Sequence, residues 1–256
     1  AIPSVLEGRD VIGLAQTGTG KTAAFSLPIL HRLAPGKKAA PKKVRALILS
    51  PTRELSAQIA RSVKDYGRKL HLTSAVVVGG VSIRPQIKAL AGGIDILIAT
   101  PGRLMDLIEQ RAVSLNEIEV VVLDEADQML DIGFMPAIKR LLAMTPQNRQ
   151  TLLFSATMPK EIRQLSDRHL KDPIEVSVIP AKKTADRVEH SVMHMQTPAK
   201  MGALAGLIRE RKGERVIVFT RTKRGADKAV KRLETDGINA AAIHGNKSQG
   251  QRERAL

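Results

Sequence analysis

A doubly wound α/β domain on a parallel sheet is the fold class this sequence predicts, on three observations. Short unbroken apolar runs recur, amphipathic helical patterns separate them, and a glycine-rich turn directly follows the first run. Runs that are apolar throughout suit strands covered on both faces, and strand alternating with helix implies right-handed crossovers that place helices on both sides.

The elements follow in order. Strand patterns fall at residues 11–15, 46–50, 75–78, 94–99, 120–123 and 151–154, each rich in β-branched residues and bounded by Gly, Pro or Asp. Helical patterns fall at 54–70, 83–90, 103–110 and 134–143, a further helix opens after the glycine-rich turn and runs through Leu30, and the first residues resemble the end of a helix. A second, similar unit starts late, with a strand pattern at 216–220, a helix at 224–234 closed by Asp236-Gly237, and another strand pattern at 238–243. Pro180 and Lys182-Lys183 interrupt any periodicity, so the expected organisation is a first domain at 1–178, a linker at 179–187 and a second domain at 188–256. Some 70 residues are few for an independent α/β domain, and this second unit is expected to be incomplete.

Composition narrows the chemistry. The chain has 256 residues, no Cys, and 41 Lys and Arg against 25 Asp and Glu, a net charge of +16. Zinc sites built on Cys, disulfides and thiol nucleophiles are excluded. His190 and His194 would share a helix face, but 188–195 alternates like a strand, so zinc is not expected there either. No apolar run reaches the roughly 20 residues of a membrane span, and no signal peptide opens the chain, so a cytoplasmic location is expected. The excess charge points to a polyanion, whose phosphates release counterions as Lys and Arg neutralise them. Residues 181–256 carry 17 of the 41 basic residues but only 8 of the 25 acidic ones. With 2% aromatics and no Trp there is little to stack bases on, so a nucleic acid would be gripped by its backbone.

The glycine-rich turn reads Ala15, Gln16, Thr17, Gly18, Thr19, Gly20, Lys21, Thr22, between a strand and a helix. This is the phosphate-binding loop pattern with Ala in place of the first Gly. Gly18 and Gly20 let backbone amides curl around phosphates, the helix start adds its dipole, Lys21 reaches the β and γ phosphates, and Thr22 offers a hydroxyl to Mg2+. Such a loop needs an acidic partner on a neighbouring strand end. Residues 120–123 end in Asp124 and Glu125, suited to holding Mg2+ and to deprotonating an attacking water. Nucleotide hydrolysis is the chemistry that this pair of motifs implies.

Residues 124–127 read Asp-Glu-Ala-Asp, and together with 15–22 they resemble the DEAD-box family of ATP-dependent RNA helicases. Further motifs match in order: Pro51, Thr52, Arg53 with Glu54-Leu55; Gly79 and Gly80; Thr100, Pro101, Gly102 and Arg103; Ser155-Ala156-Thr157; 218–223; and His244-Gly245 with Gln249 and Arg252. The resemblance covers nearly the whole chain. It implies two RecA-like domains that close on ATP and RNA, with the second incomplete here.

It further implies RNA contacts at Pro51, Thr52, Arg53, Gly79, Gly80, Thr100, Pro101, Gly102, Arg103, Thr220, Arg221, Gln249 and Arg252. A hydrogen bond from Ser155 and Thr157 to Asp127, coupling hydrolysis to closure, is implied as well. The first nine RNA residues, through Arg103, follow strand patterns, the edge where parallel sheets bind ligands, and free helix-start amides suit phosphates. The resemblance implies an ATP-dependent RNA helicase that locally unwinds duplexes; the alternative is a nucleotide-gated RNA clamp that remodels ribonucleoprotein without unwinding, and the same residues serve both. The family's adenine-reading segment and its last two motifs, with arginines that reach the γ phosphate, have no counterpart here, so the chain by itself is expected to hydrolyse ATP poorly. Ser56 stands where the family usually has Ala, a change expected to be neutral.

Overall fold

The computed structural model describes residues 1–16, 18–178, 189–211 and 213–255. The chain divides into two compact units, Ala1–Lys183 and Thr184–Leu256, each described here by itself. The expected linker at 179–187 lies outside the described residues.

In the first unit, strands β1 (Val11–Leu14), β2 (Val44–Leu49), β3 (Ser74–Val77), β4 (Ile94–Ala99), β5 (Val120–Leu123), β6 (Gln150–Ser155) and β7 (Ile174–Ser177) alternate with helices. These are α1 (Ile2–Leu6), α2 (Lys21–Leu33), α3 (Arg53–Tyr66), α4 (Arg84–Leu90), α5 (Pro101–Glu109), α6 (Ala126–Asp131), α7 (Met135–Ala143) and α8 (Lys160–His169). The strands form one sheet in the order β3-β4-β2-β5-β6-β1-β7, parallel at every pairing. The RecA-like α/β class read from the sequence is the class observed.

Alternation along the buried strands sorts the core into two layers. Ala46, Ile48, Ile96, Ile98, Val120 and Val122 face a cluster that includes Phe25, Ile29 and Ile59 of α2 and α3. Their neighbours Leu47, Leu49, Leu97, Val121 and Leu123 face Leu104, Met129, Ile138, Leu141 and Ile162 of α5 to α8. Every residue of β1, β2, β4, β5 and β6 is buried, which is why each of these strands was legible as an unbroken run. The pattern missed β7, an edge strand that is only partly covered and pairs with β1 alone. The helix expected at 54–70 ends at Tyr66, because Gly67 caps it with its amide on the Val63 carbonyl.

Register decides where function can sit. Val77 pairs with Ala99, Ala99 with Leu49, Leu49 with Leu123 and Leu123 with Leu153, while Leu14 pairs with Ser155. All strands run the same way, so the segments that follow them emerge along one edge.

The second unit holds α9 (Lys200–Glu210), preceded by a short 3-10 turn, then α10 (Lys223–Thr235) and α11 (Gln249–Ala255). The strands expected at 216–220 and 238–243 are not formed among the described residues, and neither is the strand-like pattern expected at 188–195. Alternation is present, with Val216 and Val218 lining a cavity of about 290 Å3 beside Ala229, Leu233, Ala240 and Ala242. A strand also needs a ladder of backbone partners, and none pairs with these segments. Ile217 and Phe219, on the other side, stand 80% and 92% exposed.

The tightest packing under the glycine-rich turn is at Gly13. A Cβ there would fall inside the Phe154 ring, which packs in turn on Phe25 at 5.4 Å between centroids. Gly13→Ala is therefore expected to destabilise the first unit by about 1–3 kcal/mol, the usual range for overpacking, measurable as a lower urea midpoint with unchanged slope.

Candidate functional site

The shared strand edge gathers the predicted residues of the first unit. After β1 the chain turns through Ala15, whose amide donates to the Ser155 carbonyl at 3.0 Å, tying the turn to the end of β6. Gly18 and Gly20 adopt φ of 85° and 87°, left-handed conformations that disfavour any side chain. Space is not the reason, since a Cβ at either would meet nothing within 4 Å. The Thr19 hydroxyl donates to the Gln16 carbonyl at 2.8 Å and closes the loop on itself. Lys21 and Thr22 form the first turn of α2. Thr17 lies outside the described residues.

Asp124 follows β5 and is 2% exposed. Burial raises its carboxyl pKa to about 6; the nearby Lys21 ammonium works against this, and the Glu125 and Asp127 charges add to it. Glu125 sits at φ 53°, ψ 55°, the left-handed region, as the N-cap of α6. For a residue with a Cβ this conformation costs about 1–2 kcal/mol, and its amide donates to the Asp124 carboxylate at 3.1 Å.

Asp127 joins this acidic turn to the segment after β6. Its Oδ2 accepts from the Thr157 amide at 2.9 Å and the Thr157 hydroxyl at 2.8 Å, and its own amide donates to the Ser155 hydroxyl at 3.2 Å. Burial alone would raise its pKa, but the Thr157 and Ser155 hydroxyls and the Thr157 amide outweigh it and hold the carboxyl below its usual value.

Three further loops share the edge. Thr52 caps α3, its hydroxyl accepting from the Leu55 amide at 3.2 Å, and Pro51 precedes it. Gly80 takes φ 71°, and a Cβ there would collide with the Arg53 guanidinium, so Arg53 lies against the Gly79-Gly80 turn. Thr100 is the N-cap of α5, with Pro101 opening the helix, Gly102 next to it, and Arg103 after that. Arg103 donates from both terminal nitrogens to the Val81 carbonyl at 3.0 Å and faces Asp106 at 3.6 Å. Its side chain is 11% exposed, so this cation is committed to holding the neighbouring loop.

The sequence reading missed Gln86. This buried amide accepts from the Val78 amide at 3.0 Å and donates to the Val78 and Ser82 carbonyls at 3.2 and 3.0 Å, fixing the turn that carries Gly79 and Gly80. A polar residue among Ile83, Ile87 and Leu90 on the inward face of α4 is the signal that could have found it.

In the second unit, Thr220 donates its hydroxyl to the Thr222 carbonyl at 3.1 Å, and Thr222 caps α10 by accepting from the Gly225 amide at 3.0 Å. Arg221 is exposed beside it. His244 accepts from the Asn246 amide at Nδ1, which leaves Nε2 to carry the proton toward Asp227, at 3.0 Å. Gln249 opens α11 with Arg252 in the same helix; the side chain of Gln249 lies outside the described set.

Comparison with known proteins now decides the family. Residues 1–165 match the DEAD/DEAH box helicase family model, and residues 199–256 match the helicase conserved C-terminal domain. This chain belongs to the DEAD/DEAH box helicase family. Among similar proteins, RNA helicase CrhR of Synechocystis is 44% identical over the whole chain and 51% of its own length, and DEAD-box ATP-dependent RNA helicase CshA of Streptococcus pneumoniae is 42% identical over the whole chain and 48% of its own. The chain thus spans about half the length of these relatives. A crystal structure of a DEAD box protein from Methanococcus jannaschii matches with a TM-score of 0.65 and 35% identity, over 99% of this chain and 67% of that one. Among the described residues no helix is long and apolar enough to cross a membrane.

The raised Asp124 pKa has a stability consequence. A carboxyl whose folded pKa of about 6 exceeds its unfolded value of 3.8 binds its proton more tightly in the fold, so that proton stabilises the protein below 3.8 and its contribution is lost as pH rises through 6. Asp124→Asn, which stays neutral, is expected to raise the melting temperature of the metal-free protein at pH 7.5 by the equivalent of about 1–3 kcal/mol. The gain should shrink toward zero between pH 6 and 4 in a calorimetric pH series.

Proposed function

We propose that this chain is the catalytic part of an ATP-dependent RNA helicase that binds ATP with Mg2+ and the backbone of single-stranded RNA. The observation that carries this reading is the common strand edge, where the glycine turn, the Asp124-Glu125 pair, the Ser155–Thr157 segment and the three helix-start loops lie in register. The printed names of the relatives, RNA helicase and ATP-dependent RNA helicase, support it.

The residues fit a nucleotide and its metal. Two left-handed glycines shape the loop, and burial raises the pKa of the Asp124 carboxyl despite the Lys21 ammonium beside it, so a bound cation would favour its charged form. Mg2+ keeps several waters and takes few protein ligands, so one carboxyl and one hydroxyl are enough to hold it. Bound there, Mg2+ would neutralise charge on the phosphates, with Thr22 and Asp124 holding it. Lys21 opens α2 beside Asp124, placed to bind the β and γ phosphates. Glu125, next to that site, makes no side-chain hydrogen bond among the described residues, and its proposed role is to orient the attacking water and take its proton. The Asp127 contacts with Ser155 and Thr157 carry a change at the acidic turn into the neighbouring loop.

At the RNA loops, the Thr52 hydroxyl, Arg53 and the amides of Gly102 and Arg103 are the donors for phosphates. The Arg103 guanidinium has a different task, holding the loop at Val81. The second unit, taken by itself, would offer its own phosphate contacts at Arg221, Gln249 and Arg252, with Thr220 beside them bonded to the Thr222 carbonyl.

Glu125→Gln is expected to lower RNA-stimulated ATP turnover by about 10²–10⁴-fold, the range of a general base, while ATP binding persists. Unchanged turnover would remove Glu125 from the role. Apparent RNA affinity in a salt titration should fall log-linearly with salt at a slope of several units, and a flat slope would exclude a phosphate grip. A duplex-unwinding assay separates a helicase from a clamp that only remodels ribonucleoprotein.

A further inference from the structure

Ser50 and Ser56 are both 0% exposed, and their hydroxyl oxygens lie 2.7 Å apart. Ser56 also donates its hydroxyl proton to the Thr52 carbonyl at 2.8 Å. A hydroxyl has one proton to give, so the chain of donors has a direction. Ser50 donates to Ser56, and Ser56 donates to Thr52. The Thr52 carbonyl takes a second bond from the Ser56 amide at 3.0 Å.

The bonds converge on the peptide that joins Thr52 to Arg53. Its carbonyl is held twice by Ser56. The Thr52 hydroxyl accepts from the Leu55 amide, which leaves its own proton for a ligand. Arg53, on the far side of that peptide, lies against Gly80. Rotation of this peptide would swing the hydroxyl and the guanidinium together. We propose that Ser56, with Ser50 behind it, is a positioning residue that sets the angle at which Thr52 and Arg53 meet an RNA phosphate. Ser56 touches no ligand itself and acts through the Thr52 carbonyl. Alanine at this place, expected from the sequence to be a neutral exchange, would leave the amide bond alone on the Thr52 carbonyl. The inference deepens the proposed function and rests on that reading of the loop.

Three variants of the full chain test it. Ser56→Ala removes the donor to Thr52 and strands the buried Ser50 hydroxyl. It is expected to raise the RNA concentration for half-maximal ATPase roughly fivefold, the factor that one net hydrogen bond corresponds to. Turnover at saturating RNA and half-saturation by ATP should not change, and the melting temperature should fall. Ser50→Ala leaves the Ser56 bond to Thr52 in place, and its RNA half-saturation should stay within about twofold of the unsubstituted chain.

The double variant decides between positioning and packing. With both hydroxyls gone no polar group is stranded, so the melting temperature should recover most of its loss. The RNA half-saturation should remain raised. Recovery of both together would overturn the proposal, as would an unchanged RNA constant in Ser56→Ala or an equal loss in Ser50→Ala. If the unsubstituted chain neither binds RNA in a direct titration nor shows RNA-dependent turnover, the RNA reading fails on its own account. Hydrogen exchange then judges the staple: the amide at position 56 should exchange faster in Ser56→Ala, and equal rates would sink it.

Discussion

The parallel register of a sheet buried on both faces is the constraint on which everything else here depends. Each strand of its centre is apolar throughout because helices cover both sides, and burial of so many backbone groups is tolerable only when the ladder pairs them. Pairing fixes where each strand stops, so polar residues that are far apart in sequence arrive side by side. The Asp127 carboxylate can reach Thr157, and the Ala15 amide can reach Ser155, because Leu14 and Ser155 are already opposite one another.

That edge also concentrates energetic tension. A buried carboxyl beside two other acids, a glutamate in a left-handed conformation and two left-handed glycines lie within one set of adjoining turns. Each is unfavourable when taken alone, and the surrounding core keeps them in place. Under the proposed function a bound cation would supply positive charge beside the buried Asp124 carboxyl. Asp127 shows the opposite balance: hydrogen bonds from Thr157, Ser155 and Gln128 outweigh its burial and hold the carboxyl below its usual value.

Much of this was legible in the residues because composition and spacing carry it directly. The buried strands announced themselves as apolar runs, and the turn between β1 and α2 as glycines followed by Lys21 and Thr22. What escaped the reading depends on partners supplied from elsewhere in the fold. The strand β7 is short and half-covered, so it resembles a loop until β1 lies beside it. The second unit shows the reverse, alternation without a ladder. Arg103 reads as a cation free for phosphate, and only its two bonds to the Val81 carbonyl show that it is occupied. Gln86 and the paired serines were illegible for the same reason: a hydrogen bond needs two ends, and a sequence displays one at a time.

The seat of Arg53 on Gly80 limits how the chain can change. The guanidinium is the mobile end of its side chain and can swing away, whereas position 80 is held at φ 71°, a backbone that strains any side chain. The dependence therefore runs one way: exchange at 53 asks nothing of position 80, while position 80 is tied to glycine by its own backbone. In a population of sequences, position 80 should stay glycine whether or not position 53 varies.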